Sequence, residues 1–140
     1  MTHPTPRGLR NCNPGNIRIS GTKYQGEIQP SRDASSKQFE SMAYGYRAIF
    51  MLLHTYAVRH GLDTIRGMIS RYAPQNENDT DQYIRTVCDW SFTAPDTHLT
   101  TTNAEVMIPI VSAISRYENG LPAVASDVQE GWGMFIRSIK

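Results

Sequence analysis

The segment from Ser41 to Gly61, SMAYGYRAIFMLLHTYAVRHG, constrains the fold more than any other. Ala43, Tyr46, Ala48, Ile49, Phe50, Leu52, Leu53, Tyr56 and Ala57 put apolar side chains on nearly every side of a helix. A helix of that kind has no face to give to water. It must run through the middle of a core, with other elements packed around it. Ser41 is a natural N-cap and Gly61 a natural C-cap. The chain has 140 residues, enough for one sizeable core, so a single domain over 1–140 is expected, with residues 1–6 as a flexible N-terminus.

Four further segments carry helical spacing. Leu62, Ile65, Met68, Ile69 and Tyr72 predict a helix over 62–72 that stops at Ala73-Pro74. Asp79 or Thr80 can cap a helix through Trp90, with Tyr83, Ile84, Val87 and Cys88 inward. Asn103 can cap 104–117, where Val106, Met107, Ile110, Val111 and Ile114 share a face and Pro109 is a potential kink. Ser126 is the expected cap of a last helix containing Val128, Trp132, Phe135, Ile136 and Ile139. Residues 7–40 read differently. Asn16–Ser20 alternates like a half-buried strand, Gly21-Thr22-Lys23 turns, and Tyr24–Ile28 is expected to pair back as a hairpin. Lys37–Glu40 is a short third strand. The fold class is therefore α+β, mostly α: a small N-terminal β hairpin and about five helices.

Composition excludes several function classes. Net charge is +1, so no global basic field draws the chain to nucleic acid. No apolar run approaches the roughly 20 residues of a membrane span, and none is expected to insert. The opening MTHPTPRGLR lacks the apolar core of a secretory signal, so synthesis in the cytoplasm is expected and any action outside it needs another carrier. Cys12 and Cys88 stand alone, and the four histidines show no metal-ligand spacing. Neither a metal nor a cofactor is expected.

What remains for chemistry is carboxylates in unusual places and one overbuilt loop. Glu118 lies in SRYENG, at the end of an apolar helix. A carboxyl there faces the negative pole of the helix dipole, which favours the protonated form a general acid needs. Glu77 lies in the polar loop APQNENDT, where it also suits a helix start. Glu40, before the central helix, reads as structural. Arg47, inside that apolar helix, calls for a carboxylate partner. The loop RGLRNCNPGNIRIS carries two glycines, three asparagines and three arginines, more polar groups than a turn requires. Most aromatics, Tyr72, Tyr83 and Trp132 among them, fall at core spacing, whereas Tyr24 in the hairpin suits a sugar-binding groove.

Taken together, RGLRNCNPGNIR, FESMAYGYRA, RYAPQNENDTDQYIRTV and AISRYENGLP resemble a family of phage and prophage virion-associated, lysozyme-like peptidoglycan hydrolases. The motifs occur in order over almost the whole chain. Cys12 stands where that family usually has Asn, and Tyr24 where it has Trp. The resemblance implies a lysozyme-like domain with its parts in circularly permuted order: hairpin first, central helix second, acid-bearing helix end near last. It implies a muramidase or lytic transglycosylase in which Glu118 is the acid and Glu77 the next candidate. Asn13, Asn16, Arg18, Tyr24, Asn78 and Asn119 are then the expected substrate contacts. The expected partner is the peptidoglycan glycan strand, met in the periplasm or cell wall by a monomer that a holin, a virion or a secretion system delivers. The other class in view is a non-catalytic virion or wall-binding module on the same scaffold.

Overall fold

The computed structural model describes residues 5–75 and 79–140. Among them the helices are α1 (Arg7–Arg10), α2 (Met42–His60), α3 (Ile65–Tyr72), α4 (Thr80–Ser91), α5 (Ala104–Asn119) and α6 (Ala125–Ser138). The domain is mostly α with a small antiparallel β element near the N-terminus, as the period of the sequence predicts.

The central helix forms as expected. The Ser41 side chain accepts from the Tyr44 amide, and the helix ends with Gly61 in the left-handed region. Ala48, Ile49 and Leu53 are fully buried. α6 lies along α2, where Phe50 meets Trp132 edge-on at 5.0 Å and stacks on Phe135 at 5.9 Å. α5 packs on α4 on the other side of the core, and its Tyr46–Ser115 link to α2 is a hydrogen bond of 2.8 Å.

Helix ends differ from expectation in three places, each for a local reason. α3 starts at Ile65 rather than Leu62, because Leu62 closes the end of α2 through its amide and the Tyr56 carbonyl. Thr64 is the cap that remains, accepting from the Gly67 amide. α6 begins after Val124, whose carbonyl takes the Asp127 and Val128 amides, so Ser126 sits inside the first turn and caps nothing. α5 continues through Asn119, which keeps Glu118 inside its last turn. Pro109 is accommodated within it.

The β pairing also differs. The strands 16–20 and 24–28 do not pair with each other. Both flank the segment 35–40, through antiparallel bridges Arg18–Ser36 and Glu27–Phe39. The Ile19 amide donates to Ser35, Lys37 to Ile17, Ile28 to Gln38 and Glu40 to Gly26. Lys37 explains the change. Its side chain is fully buried, and its ammonium donates to the Thr22 carbonyl at 2.8 Å and to Glu27 at 3.0 and 3.1 Å. The turn expected to join a tight hairpin wraps around that ammonium instead.

A short helix, α1, was not expected in the Asn-rich loop. It is fastened to the β element by Arg7, whose guanidinium donates to both Asp33 oxygens at 2.6 Å. Asp33 also accepts from Asn11 and from the Ser35 and Ser36 amides, and these donors, Arg7 foremost, hold its carboxyl well below the usual range.

Candidate active site

Glu118 is reached from three directions. Its own helix places it one residue before the last helical residue, Asn119, and Gly120 caps the end in the left-handed region. The Asn-rich loop supplies Asn16, whose Nδ2 donates to Glu118 Oε1 at 2.8 Å. α4 supplies Tyr83, whose hydroxyl donates to Oε2 at 2.7 Å and whose ring stacks on Tyr117 with centroids 3.8 Å apart.

The loop is held for this task by groups that do not touch Glu118. Asn13 is fully buried; its Nδ2 donates to the Ile17 and Lys37 carbonyls, and its Oδ1 accepts from the Ile17 amide. Asn119 donates to the Pro14 carbonyl at 2.8 Å and to Ser115 at 2.9 Å. The Tyr72 hydroxyl donates to the Gly15 carbonyl. Asn16 itself sits at φ +50°, a conformation asparagine tolerates better than most residues.

One polar detail stands out. Asn16 Oδ1 and Asn119 Oδ1 are buried acceptors that meet no donor among the described residues. A Cβ on Gly8 would lie 2.4 Å from Asn119 Oδ1 and 3.1 Å from Asn16 Oδ1, so the two oxygens are neighbours over the Gly8 backbone. Only glycine leaves room for them.

Glu118 opens onto a groove of about 480 Å³ lined by Asn16, Arg18, Tyr24, Tyr56, Arg71 and Tyr72, with Arg7, Ser20, Thr22, Ser35 and Ser36 on its β side. It is the sole carboxylate among the described residues of that lining. The phenols around it stay protonated. Burial pushes Tyr72 and Tyr83 well above the ordinary tyrosine range, and the charge of Glu118 adds to the push. Burial, with the neighbouring Tyr56 and Glu27, takes Tyr24 up to about 12. These hydroxyls therefore act as hydrogen-bond groups and not as bases. Among the described residues no three His, Cys, Asp or Glu side chains gather as metal ligands would.

The structure thus brings Glu118, Asn16, Arg18 and Tyr24 to one groove. Asn13 and Asn119, expected as substrate contacts, lie behind the wall with their amides committed to backbone carbonyls. Glu77 and Asn78 lie outside the described residues. Arg47 has no carboxylate partner among the described residues; its guanidinium donates to the Ser138 hydroxyl at 3.0 and 3.3 Å. Tyr72 and Tyr83 are the site residues that helical spacing missed. Their signal was the hydroxyl: a tyrosine packed against a core needs a polar partner, and here both find the site.

No family model matches the chain. It is 36% identical over 135 residues to Protein P5 of Pseudoalteromonas phage PM2, an alignment that spans 92% of this chain and 82% of that protein. With that identity over nearly the full length of both, the chain belongs to the family of the phage PM2 Protein P5.

Proposed function

We propose that the protein is a peptidoglycan-degrading glycosidase, a muramidase or lytic transglycosylase, that cleaves the β-1,4 bond between N-acetylmuramic acid and N-acetylglucosamine. The observation that carries this reading is one carboxyl, Glu118, the sole carboxylate of the described groove lining, fixed at both oxygens on the edge of an open groove with tyrosine and arginine walls. A domain of lysozyme type in permuted order accounts for the arrangement: the acid comes from a late helix end and faces an N-terminal β element 102 residues away in sequence.

The Asn16 amide supports the acid role. Two neighbouring buried acceptors without donors are costly. Turning the Asn16 amide by half a turn would point its Nδ2 toward Asn119 Oδ1 and present Oδ1 to the Glu118 carboxyl. In that arrangement Oδ1 of Asn16 would accept the proton that the proposed acid carries before transfer.

In the proposed reaction Glu118 gives this proton to the glycosidic oxygen as the bond from that oxygen to C1 breaks, leaving an oxocarbenium-like sugar. In hydrolysis a water adds at C1 and returns a proton to Glu118. In transglycosylation the C6 hydroxyl of the same sugar adds and returns its own. The second course needs no second carboxylate, which fits the lining described; Glu77 would be the group to assist the first. Asn16, Arg18 and Tyr24 would bind the sugar and its acetamido groups. The phage relative fits an enzyme made in the bacterial cytoplasm and delivered to the cell wall by a virion or at lysis.

Glu118→Gln tests the reading. Glutamine keeps the shape and, with Asn16 turned, the hydrogen bonds, so thermal unfolding should stay within a few degrees while clearing of a murein suspension is lost. A second reading, a non-catalytic virion or wall-binding module, is favoured by one feature: both Glu118 oxygens already serve as a clasp between loop and helix. Sacculi that bind the protein and release no soluble muropeptides would establish it and remove the enzyme.

A further inference from the structure

The groove at Glu118 does not end at its aromatic wall. A second lobe of about 410 Å³ shares Thr22, Tyr24, Leu52, Tyr56 and Arg71 with it and continues away from the acid. Its charged lining residues are Lys23, Arg47, Arg59 and Arg71, with His60 beside them, and no described Asp or Glu lines it. None of these four cations forms an ion pair with a described residue.

Arg47 makes the lobe more than a basic patch. It is 8% exposed, comes from the second turn of the apolar central helix, and spends its donors on a serine hydroxyl rather than a carboxylate. A buried guanidinium without a counter-charge is unfavourable for folding. A domain keeps one where something outside the fold supplies the anion. Arg71 is held over the Tyr56 ring at 5.3 Å, which orients a second guanidinium at the junction of the two lobes. Lys23 and Arg59 are exposed at the rim.

We propose that this second lobe is an anion subsite that takes the carboxylates of the peptide stem on a glycan whose scissile bond lies at Glu118. The ligand's identity rests on the glycosidase reading. Arg47 and Arg71 form the floor and the junction; Lys23 and Arg59 gather the more distal carboxylates. The protein then selects peptide-substituted glycan over bare glycan.

The test uses Glu118→Gln protein, to prevent turnover, and two soluble probes: a peptidoglycan tetrasaccharide with its stems, and the same tetrasaccharide after amidase removal of the stems. Calorimetry should give at least about tenfold tighter binding of the stem-bearing probe, the value of one or two charge-assisted hydrogen bonds. Adding Lys23→Glu with Arg59→Glu should cancel that preference and leave the stripped probe's affinity unchanged. Adding Arg47→Met should weaken the stem-bearing probe alone while thermal stability holds or rises, which separates a ligand role from a structural one. Equal affinity for both probes in the parent protein, or a preference that survives both variants, overturns the stem assignment and leaves the glycosidase reading standing. Failure of both probes to bind overturns both, whether or not a phosphate-bearing wall polymer binds through Arg59 instead.

Discussion

Asn13 and Asn16 stand three positions apart in one loop and do different work. Asn13 carries three buried hydrogen bonds to backbone, so Asn13→Ala would orphan the Ile17 amide and the Lys37 carbonyl, while the Ile17 carbonyl keeps only the Lys37 amide. A loss on the order of 3 kcal/mol is expected in urea unfolding, since each buried unsatisfied group costs about 1–3 kcal/mol and water recovers part of it. Asn16 faces the groove and Glu118. Asn16→Ala should cost about 1 kcal/mol or less beyond the strain at its positive φ, yet abolish or severely reduce murein clearing. If Asn16→Ala clears murein at the parent rate, the amide has no part in steering the acid. The two residues were indistinguishable in sequence because composition reports a polar loop, not which amides turn inward. Glu118 was legible from its place at a helix end. Tyr72 and Tyr83 were not recognised as site residues, because helical spacing registers the apolar ring and is blind to the hydroxyl.

At the scale of elements, what the chain announces locally is what the fold obeys. α2, α4 and α5 carry both a 3.6-residue period and a capping side chain at Ser41, Asp79 and Asn103, and all three start where expected. The N-terminal lobe has no such local code. Its two bridges are single contacts, and the partner of each flanking segment is decided by where the Lys37 ammonium is satisfied. The lobe's stability should accordingly depend on pH through Glu27. Burial alone raises the Glu27 pKa, but hydrogen bonds from the Tyr24 amide, Lys37 and Gln29 and the Lys37 charge outweigh it, and the net shift is downward. A carboxyl lowered in the folded state binds its proton more readily when unfolded. Its contribution is complete above the unfolded value of about 4.3 and is lost as pH falls through the lower folded one. Asp33, lowered by Arg7, acts in the same direction. Amide exchange at Lys37, Ile28 and Glu40 should therefore accelerate below about pH 4 before exchange in α2 does. Lys37→Met should destabilise strongly by leaving Glu27 buried and unpaired, and Lys37→Met with Glu27→Leu should recover most of the loss. A double variant no more stable than the single would show that the ion pair is not what organises the lobe.

On the scale of the whole molecule, the groove is a junction between the two ends of the chain. The loop that carries Asn16 and the helix end that carries Glu118 meet only when α5 has packed against the rest of the core, and α1 fastens that junction twice. Arg7 ties it to Asp33 of the β element, and the Gly8 backbone sits against Asn119 at the end of α5. The helical core has little stake in this. α1 has four residues, and the main packing of α2 on α6 and of α4 on α5 does not involve it. Core and site should therefore come apart. Removal of residues 1–10 takes away both fastenings, leaving the Asn16 loop held by Asn11, Asn13, Tyr72 and Asn119. The truncated protein should keep nearly all of its far-ultraviolet helical signal and a cooperative thermal transition at lower temperature, because its core remains buried. Murein clearing should fall by at least about tenfold, the effect of a displacement near 1 Å at a site that depends on placement. Charge separates the two fastenings: Arg7→Gln loses the ion pair while keeping the Gly8 contact, and should fall between parent and truncation in both readouts. Full activity in the truncated protein would mean that the groove is organised by α5 and the core alone, and that the N-terminal helix has no part in holding Asn16 against Glu118.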